Sequence, residues 1–278
     1  MIFLNIKRIL KKYRIVPVKR LGQNFLVDKT VLKKIIEFSE ISKKDVILEV
    51  GAGIGNLTLE LAKKSKKVIT IEKDKRMVEI LKESLKNYKN VEIIQGDILH
   101  KIRVLESKLC KGYKVVANIP YYLTSILIRK LLEMKCKPNL MVLMVQKEVG
   151  ERICAKPPNM SLLSVSVQFY ATPEIVSFVP RESFWPPPRV DSAIIKITPR
   201  KFDPKISPQF VDQFFKIVKI GFSHRRKQLV NNFSKALEVD KIKVQKWFLR
   251  NKINPKKRAQ ELSVDEWIKL SKNFPFKI

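Results

Sequence analysis

Val46-Ile47-Leu48-Glu49-Val50-Gly51-Ala52-Gly53-Ile54-Gly55 is an apolar run that ends in three glycines at alternate positions. It reads as a buried strand feeding a tight turn into a helix over about 56–64. Such turns serve dinucleotide enzymes and methyltransferases alike, so Gly51, Gly53 and Gly55 select an architecture without selecting a cofactor. The same alternation extends outward. Upstream, Asp28 can cap a helix whose Val31, Leu32, Ile35, Ile36 and Phe38 share one side. Downstream, 68–71 forms a second strand ending at Glu72, and Asp74 opens the next helix. A third strand, 91–95, ends at Gly96-Asp97, and a fourth, 114–117, ends in Asn118-Ile119-Pro120-Tyr121. A helix at 125–134, a fifth strand at 140–145 and a helix at about 147–155 follow. Strands at 174–179 and 193–197 flank a proline-rich loop. Strands alternating with helices imply an α/β fold with a largely parallel sheet covered on both faces. The pattern breaks over 198–204, beyond which Phe210, Val211, Phe214, Ile217 and Val218 recur at helical spacing. The expected organisation is a basic arm over 1–20, an α/β domain over 21–200 and a small all-helical domain over 206–278.

Ligands of open α/β sheets bind at the carboxyl ends of the strands. Four successive strand ends here supply the glycine turn, Glu72, Asp97 and Asn118. Glu72 can take both hydroxyls of a ribose, and Asp97 can accept from the amino group of a cofactor adenine. The Asn-Ile-Pro-Tyr sequence suits a flat amine, either adenine N6 or the amide of Gln. Such an amine is a poor nucleophile because its lone pair is delocalised. Accepting its two N–H bonds at Asn118 Oδ1 and the Pro120 carbonyl would expose that lone pair and stabilise developing positive charge. Tyr121 would stack on a base that has left its helical stack. Nicotinamide chemistry needs no such motif, so S-adenosylmethionine is the expected cofactor. Phe184-Trp185-Pro186-Pro187-Pro188-Arg189 is a stiff loop in which Phe184 could be held over the target base. Tyr122 and Trp185 remain open between core and site.

Net charge is +31, from 57 basic and 26 acidic residues. Lysine bias explains part of the excess but not its clustering. Residues 1–20 hold seven basic and no acidic residues, and 206–278 hold 17 basic against 6 acidic. Both clusters suit a polyanionic partner, with residues 1–20 read as a nucleic-acid-contacting arm. No apolar stretch approaches the roughly 20 residues of a membrane span. Cys110, Cys136 and Cys154 have no paired spacing and read as reduced thiols of a cytoplasmic protein. With two histidines besides, a metal site has little material, and none is expected.

Several stretches together resemble one family. They are Leu21-Gly22-Gln23-Asn24-Phe25-Leu26, Glu49 to Thr58, Asn118 to Tyr121 and Gln146-Lys147-Glu148-Val149. Pro186 to Ala193, Phe222-Ser223-His224-Arg225-Arg226-Lys227 and Arg258 to Ser263 continue the set. In order, they are similar to the small-subunit ribosomal RNA adenine N6,N6-dimethyltransferases of the KsgA type. That resemblance implies a Rossmann-like class I methyltransferase domain with a helical C-terminal domain. It implies dimethylation of two adjacent adenosines in the 3′-terminal hairpin loop of small-subunit rRNA, on a particle like a precursor of the small subunit, by a monomer. By position, Asn24, Leu26, Gly51, Gly53, Glu72, Asp97 and Asn118 would contact S-adenosylmethionine. Asn118, Pro120, Tyr121 and Phe184 would serve the target base, and a basic helix carrying Arg225, Arg226 and Lys227 would contact RNA. The family usually has Leu at Ile119, where Ile is common in the related macrolide-resistance enzymes of large-subunit rRNA. Residues 157–162 lack its frequent Tyr-Gly-Arg-Leu. The alternatives are that large-subunit activity, a protein-glutamine methyltransferase, and a ribosome-assembly or transcription factor that binds without catalysis.

Overall fold

The computed structural model describes residues 6–200 and 206–276. Its sheet contains β1 (Val46–Val50), β2 (Lys67–Glu72), β3 (Val91–Gln95), β4 (Lys114–Asn118), β5 (Leu140–Gln146), β6 (Ala171–Val179) and β7 (Ser192–Pro199). Their spatial order is β3-β2-β1-β4-β5-β7-β6. The first five strands are parallel, whereas β7 runs antiparallel to β5, with Met141 opposite Ile197 and Gln146 opposite Ser192. Successive residues of the central strands (Ile47 and Leu48, Val68 and Ile69, Val115 and Val116) are at most 1% exposed. A strand buried at both odd and even positions is covered on both faces, which is why these runs are continuously apolar.

Helices α1 (Ile6–Lys12), α2 (Lys29–Phe38), α3 (Asn56–Lys64), α4 (Lys75–Ser84), α5 (Ile98–Leu109), α6 (Thr124–Glu133) and α7 (Lys147–Ile153) connect or precede the strands. Asp28, Asp74 and Asp97 cap α2, α4 and α5, each accepting a first-turn backbone N–H. Caps of this kind contribute about 1 kcal/mol each. Leu32 and Ile35 of α2 and Leu61 of α3 join Ile47, Val68 and Val116 in one core cluster.

The chain divides into two compact units. The described residues of Met1–Gly150, with Pro173–Pro199, carry the strand ends that matter below. Glu151–Thr172 and the described residues of Arg200–Ile278 form the other. The second unit holds α8 (Leu162–Tyr170), α9 (Pro208–Gly221), α10 (Leu229–Leu237), α11 (Lys241–Arg250) and α12 (Val264–Lys272). Phe214, Phe233, Phe248 and Trp267 are fully buried there, and Phe169 stacks on Phe214 with ring centroids 4.2 Å apart. This differs from a single boundary near residue 200. Helix α8 is apolar enough to pass for an extension of the α/β pattern, but it is built into the helical core. The expected break at 198–204 falls largely on residues outside those described.

The N-terminal arm is more than a basic tail. Ile6 and Leu10 are buried in a cluster with Phe25, Ile54, Met77 and Ile80, while Lys7, Arg8, Lys11 and Lys12 stay exposed. Residues 1–5 of that arm lie outside the described residues. The reading of three reduced thiols is corrected. Cys110, just past α5, and Cys136, just past α6, are joined in a disulfide with Cα atoms 5.0 Å apart. They are 26 positions apart in sequence, and only the meeting of two helix ends brings them together. No helix among the described residues is long and apolar enough to cross a membrane.

Candidate active site

The carboxyl ends of β1 to β4 open on one pocket, lined among others by Gly51, Glu72, Asp97 and Asn118. The Glu72 carboxylate organises its floor. Gly53 N–H donates to Oε2 at 3.0 Å and Asp74 N–H to Oε1 at 2.9 Å, so the glycine turn is tied to the end of β2. Burial pushes this carboxyl up from its ordinary value, against the pull of those N–H groups. For Asp97 the balance reverses. Burial raises it, but Lys73 Nζ at 2.9 Å and the Leu99 N–H at 2.9 Å together hold it below the usual carboxylate range.

Glu49, the acidic residue inside β1, also lines the pocket, although it is 1% exposed. Thr58 Oγ1 donates to its Oε2 at 2.7 Å. Thr70 borders the carboxyl, yet neither Thr70 Oγ1 nor Glu49 Oε1 has a hydrogen-bond partner among the described residues. Burial, with a smaller contribution from Glu72, pushes Glu49 up to about 7. The folded protein therefore holds this proton where the unfolded chain, at about 4.5, has released it. The stability it contributes is complete below about 4.5 and is lost as pH rises through about 7. At about 1.4 kcal/mol per pH unit, that interval amounts to roughly 3 kcal/mol. Glu49→Gln is expected to flatten this part of the pH–stability curve and to gain on the parent above pH 7. Chemical unfolding at pH 5 and pH 8 measures it, and equal slopes in both proteins would show that Glu49 is ionised throughout.

At the end of β4 the Asn118 amide is oriented from its nitrogen side. Its Nδ2 donates to the Asn24 carbonyl at 3.3 Å, which leaves Oδ1 as the acceptor. Pro120 is held between two glycines. A Cβ on Gly51 would meet Pro120 Cδ at 3.2 Å, and one on Gly22 would meet Pro120 Cβ at 3.4 Å. Both have positive φ, +78° and +65°, so neither position suits a side chain. The Pro120 carbonyl accepts from Leu123 N–H at 2.9 Å, and its second lone pair can accept again. The Tyr121 hydroxyl lies 2.8 Å from Ser192 Oγ on β7, a side chain with no exposure. Burial raises the Tyr121 hydroxyl, partly offset by that bond.

Asn24 and Leu26 also line the pocket. A short antiparallel pair, Phe25–Leu26 with Phe184–Trp185, places them, and Ser183 O accepts from Val27 N–H at 2.8 Å. Phe184 is 3% exposed, belongs to the core cluster with Leu26 and does not line the pocket. Trp185 packs against the cluster that holds Ile6, Leu10, Phe25 and Ile54. Tyr122 does line the pocket and is 54% exposed, which places it at the site and not in the core. Arg225, Arg226 and Lys227 are exposed, but they occupy a turn between α9 and α10, not a helix. Gln23, Glu49 and Ser192 carry no role in the sequence reading. Gln23 Oε1 accepts from Val18 N–H and its Nε2 donates to Asp74, both at 2.8 Å, anchoring the segment that delivers Asn24. Among the described residues no group of His, Cys, Asp and Glu could hold a metal ion.

The model of a family described as ribosomal RNA adenine dimethylase matches residues 18–275. The chain belongs to that family. It is 42% identical to a ribosomal RNA small subunit methyltransferase A of Dehalococcoides mccartyi, covering 95% of this chain and 90% of the relative. A protein of the same name from Clostridium botulinum is 42% identical over 96% of this chain and 98% of its own. Among solved structures, a dimethyladenosine transferase from Plasmodium falciparum superposes with a TM-score of 0.71 at 32% identity, covering 88% of this chain and 95% of that one. The mixed seven-stranded sheet is that of the class I methyltransferases.

Proposed function

We propose that this dimethylase transfers methyl groups from S-adenosylmethionine to N6 of adenosines in small-subunit ribosomal RNA, two adjacent adenosines of the 3′-terminal hairpin loop being the target. The observation that carries the reading is an Asn118 whose amide is fixed with its oxygen as acceptor, beside the Pro120 carbonyl and Tyr121, in a pocket walled by carboxylates. Its substrate is an assembling small subunit, and the enzyme acts as a monomer. The α/β unit carries the chemistry and the cationic helical unit contacts RNA phosphates.

The pocket fits the cofactor on three counts. Gly51 and Gly53, both at positive φ, line it with backbone that carries no side chain. Glu49 Oε1 is buried among the described residues without a partner. Glu72 and Asp97 line it with carboxylate oxygens able to accept from hydroxyl and amino groups. Glu72 would hold the ribose hydroxyls, Asp97 the adenine amine, and the glycine turn the backbone-lined remainder. When bound, S-adenosylmethionine supplies a methyl group on a positively charged sulfur.

The chain's own residues then prepare the amine. Tyr121 stacks on the flipped base and fixes its plane. In the first transfer Asn118 Oδ1 and the Pro120 carbonyl each accept one N–H of the amine, which turns its lone pair out of the ring; in the second, one of them accepts the N–H that remains. Both oxygens are positioned in advance by Asn24, Gly22 and Gly51, so they stabilise the positive charge at nitrogen without rearranging. The proton lost afterwards needs no dedicated base, because a cationic anilinium-like nitrogen is strongly acidic.

Ser192→Ala should loosen the Tyr121 ring. Expected costs are about 1 kcal/mol in stability and about tenfold in transfer rate. Tyr121→Phe removes the same bond from the other side and should match it. Single-turnover rates equal to the parent in both variants would detach Ser192 from the site. For the function itself, labelled methyl transfer to unmethylated small subunits and to large-subunit rRNA, with product mapping, is decisive. Dimethyladenosine in the small-subunit 3′ hairpin is expected, and label only in large-subunit RNA would overturn the assignment.

A further inference from the structure

Tyr122 is unusual in lining the pocket while leaving 54% of its surface exposed. Four residues on, Ile126 is 51% exposed. An aromatic ring in the turn that leads into α6 and a branched aliphatic side chain in the first turn of α6 are thus both outside the core, just after the Tyr121 that the reaction uses. Cations lie near Tyr122, with Lys73 sharing the pocket wall with it. Lys73 Nζ, 2.9 Å from Asp97, lies within electrostatic reach of both Tyr122 and Arg20. Arg20 and Lys73 are exposed.

A ring face with an aliphatic neighbour beside two cations matches the chemistry of an unstacked nucleotide, base on ring and phosphate on cation. A base drawn into the pocket also leaves its neighbour in the strand without a stacking partner. We propose that Tyr122 and Ile126, with Arg20 and Lys73, form a second nucleotide subsite at the pocket mouth that holds the RNA nucleotide adjoining the target adenosine. The proposal rests on the RNA reading above and extends it from one base to two. Tyr121 and Tyr122 then divide the work: one ring receives the reacting base inside the pocket, the other its neighbour outside.

The test uses the full chain and an RNA hairpin with unpaired adenosines in its loop. In separate versions 2-aminopurine, whose fluorescence reports stacking, replaces the nucleotide on either side of one adenosine. Tyr122→Ala is expected to weaken RNA binding about tenfold and to abolish the fluorescence change at one flanking position. Tyr122→Trp should restore both. Ile126→Asp, at an exposed position, should weaken binding without altering the melting temperature. Binding and fluorescence identical to the parent in Tyr122→Ala would overturn the subsite, as would a Tyr122→Trp that behaves like Tyr122→Ala. A fall in rate with RNA affinity unchanged would also overturn it. Because binding and fluorescence do not depend on turnover, a parent protein that transfers no methyl group would sink the functional reading while this subsite is still judged on its own.

Discussion

Asn118→Ala is expected to lower the single-turnover rate of methyl transfer by about a thousandfold while leaving the fold and RNA affinity close to those of the parent. Removing one preorganised hydrogen-bonding group from a transition-state site costs about 10²- to 10³-fold. The upper end applies here because the proposed pair of acceptors serves two N–H bonds, and its other member, Pro120 O, already accepts from Leu123. Little stability should be lost, since the tie of the Asn118 amide among the described residues is a 3.3 Å contact to the Asn24 carbonyl. Asn118→Asp is the sharper companion. It keeps an acceptor, but sets a carboxylate oxygen against the Asn24 carbonyl where an N–H had been. Its rate should lie between the parent and Asn118→Ala, and its melting temperature should fall further. A loss under tenfold in Asn118→Ala would place the amine's acceptor elsewhere in the pocket.

Much of this site is legible in the sequence because strand ends are legible. Four apolar runs each stop at a residue of a different kind, Gly51, Glu72, Asp97 and Asn118. Parallel pairing then forces all four to the same edge, so no long-range contact has to be guessed. What escapes is whatever depends on side chains meeting across the fold. Ser192 faces Tyr121 only because β7 runs antiparallel beside β5, a pairing that no periodicity announces. The pair Phe25–Leu26 and Phe184–Trp185 has two residues per strand, too short to leave a pattern. Phe184 accordingly reads as a loop aromatic, whereas it is a core side chain. Glu49 sits in an apolar run where a strand-end residue would draw the eye. Its position inside β1 is what buries it and moves its proton equilibrium towards neutrality. The disulfide depends on two helix ends converging, and the Arg225-Arg226-Lys227 turn on a helix stopping at Gly221.

That turn carries the other large effect. Reversing Arg225 and Arg226 to Glu is expected to weaken binding to small-subunit RNA about a hundredfold near 0.1 M salt. It should also make the dependence of log affinity on log salt shallower by about 1.4 to 1.8, the release from two phosphates. Buried contacts hold the turn. Asn232, 2% exposed, donates through Nδ2 to Gly221 O at 2.7 Å and to His224 O at 3.2 Å, and Lys227 N–H closes on His224 O at 3.0 Å. The backbone of the turn is therefore tied from within the helical unit, while the side chains of Arg225, Arg226 and Lys227 remain in water. Cations on a fixed backbone lose less freedom on meeting phosphates than cations on a loose loop, so each contact retains more of its counterion-release gain. Reversal leaves the buried ties untouched, and the variant should melt with the parent. Asn232→Ala provides the complement, since it keeps every charge but frees the turn. It should weaken binding less than the double reversal and leave the salt slope unchanged. A double reversal with the parent's affinity and slope would move the RNA contact to another face of the helical unit, and a slope change without loss of affinity would mean the two arginines sense the phosphates only from a distance.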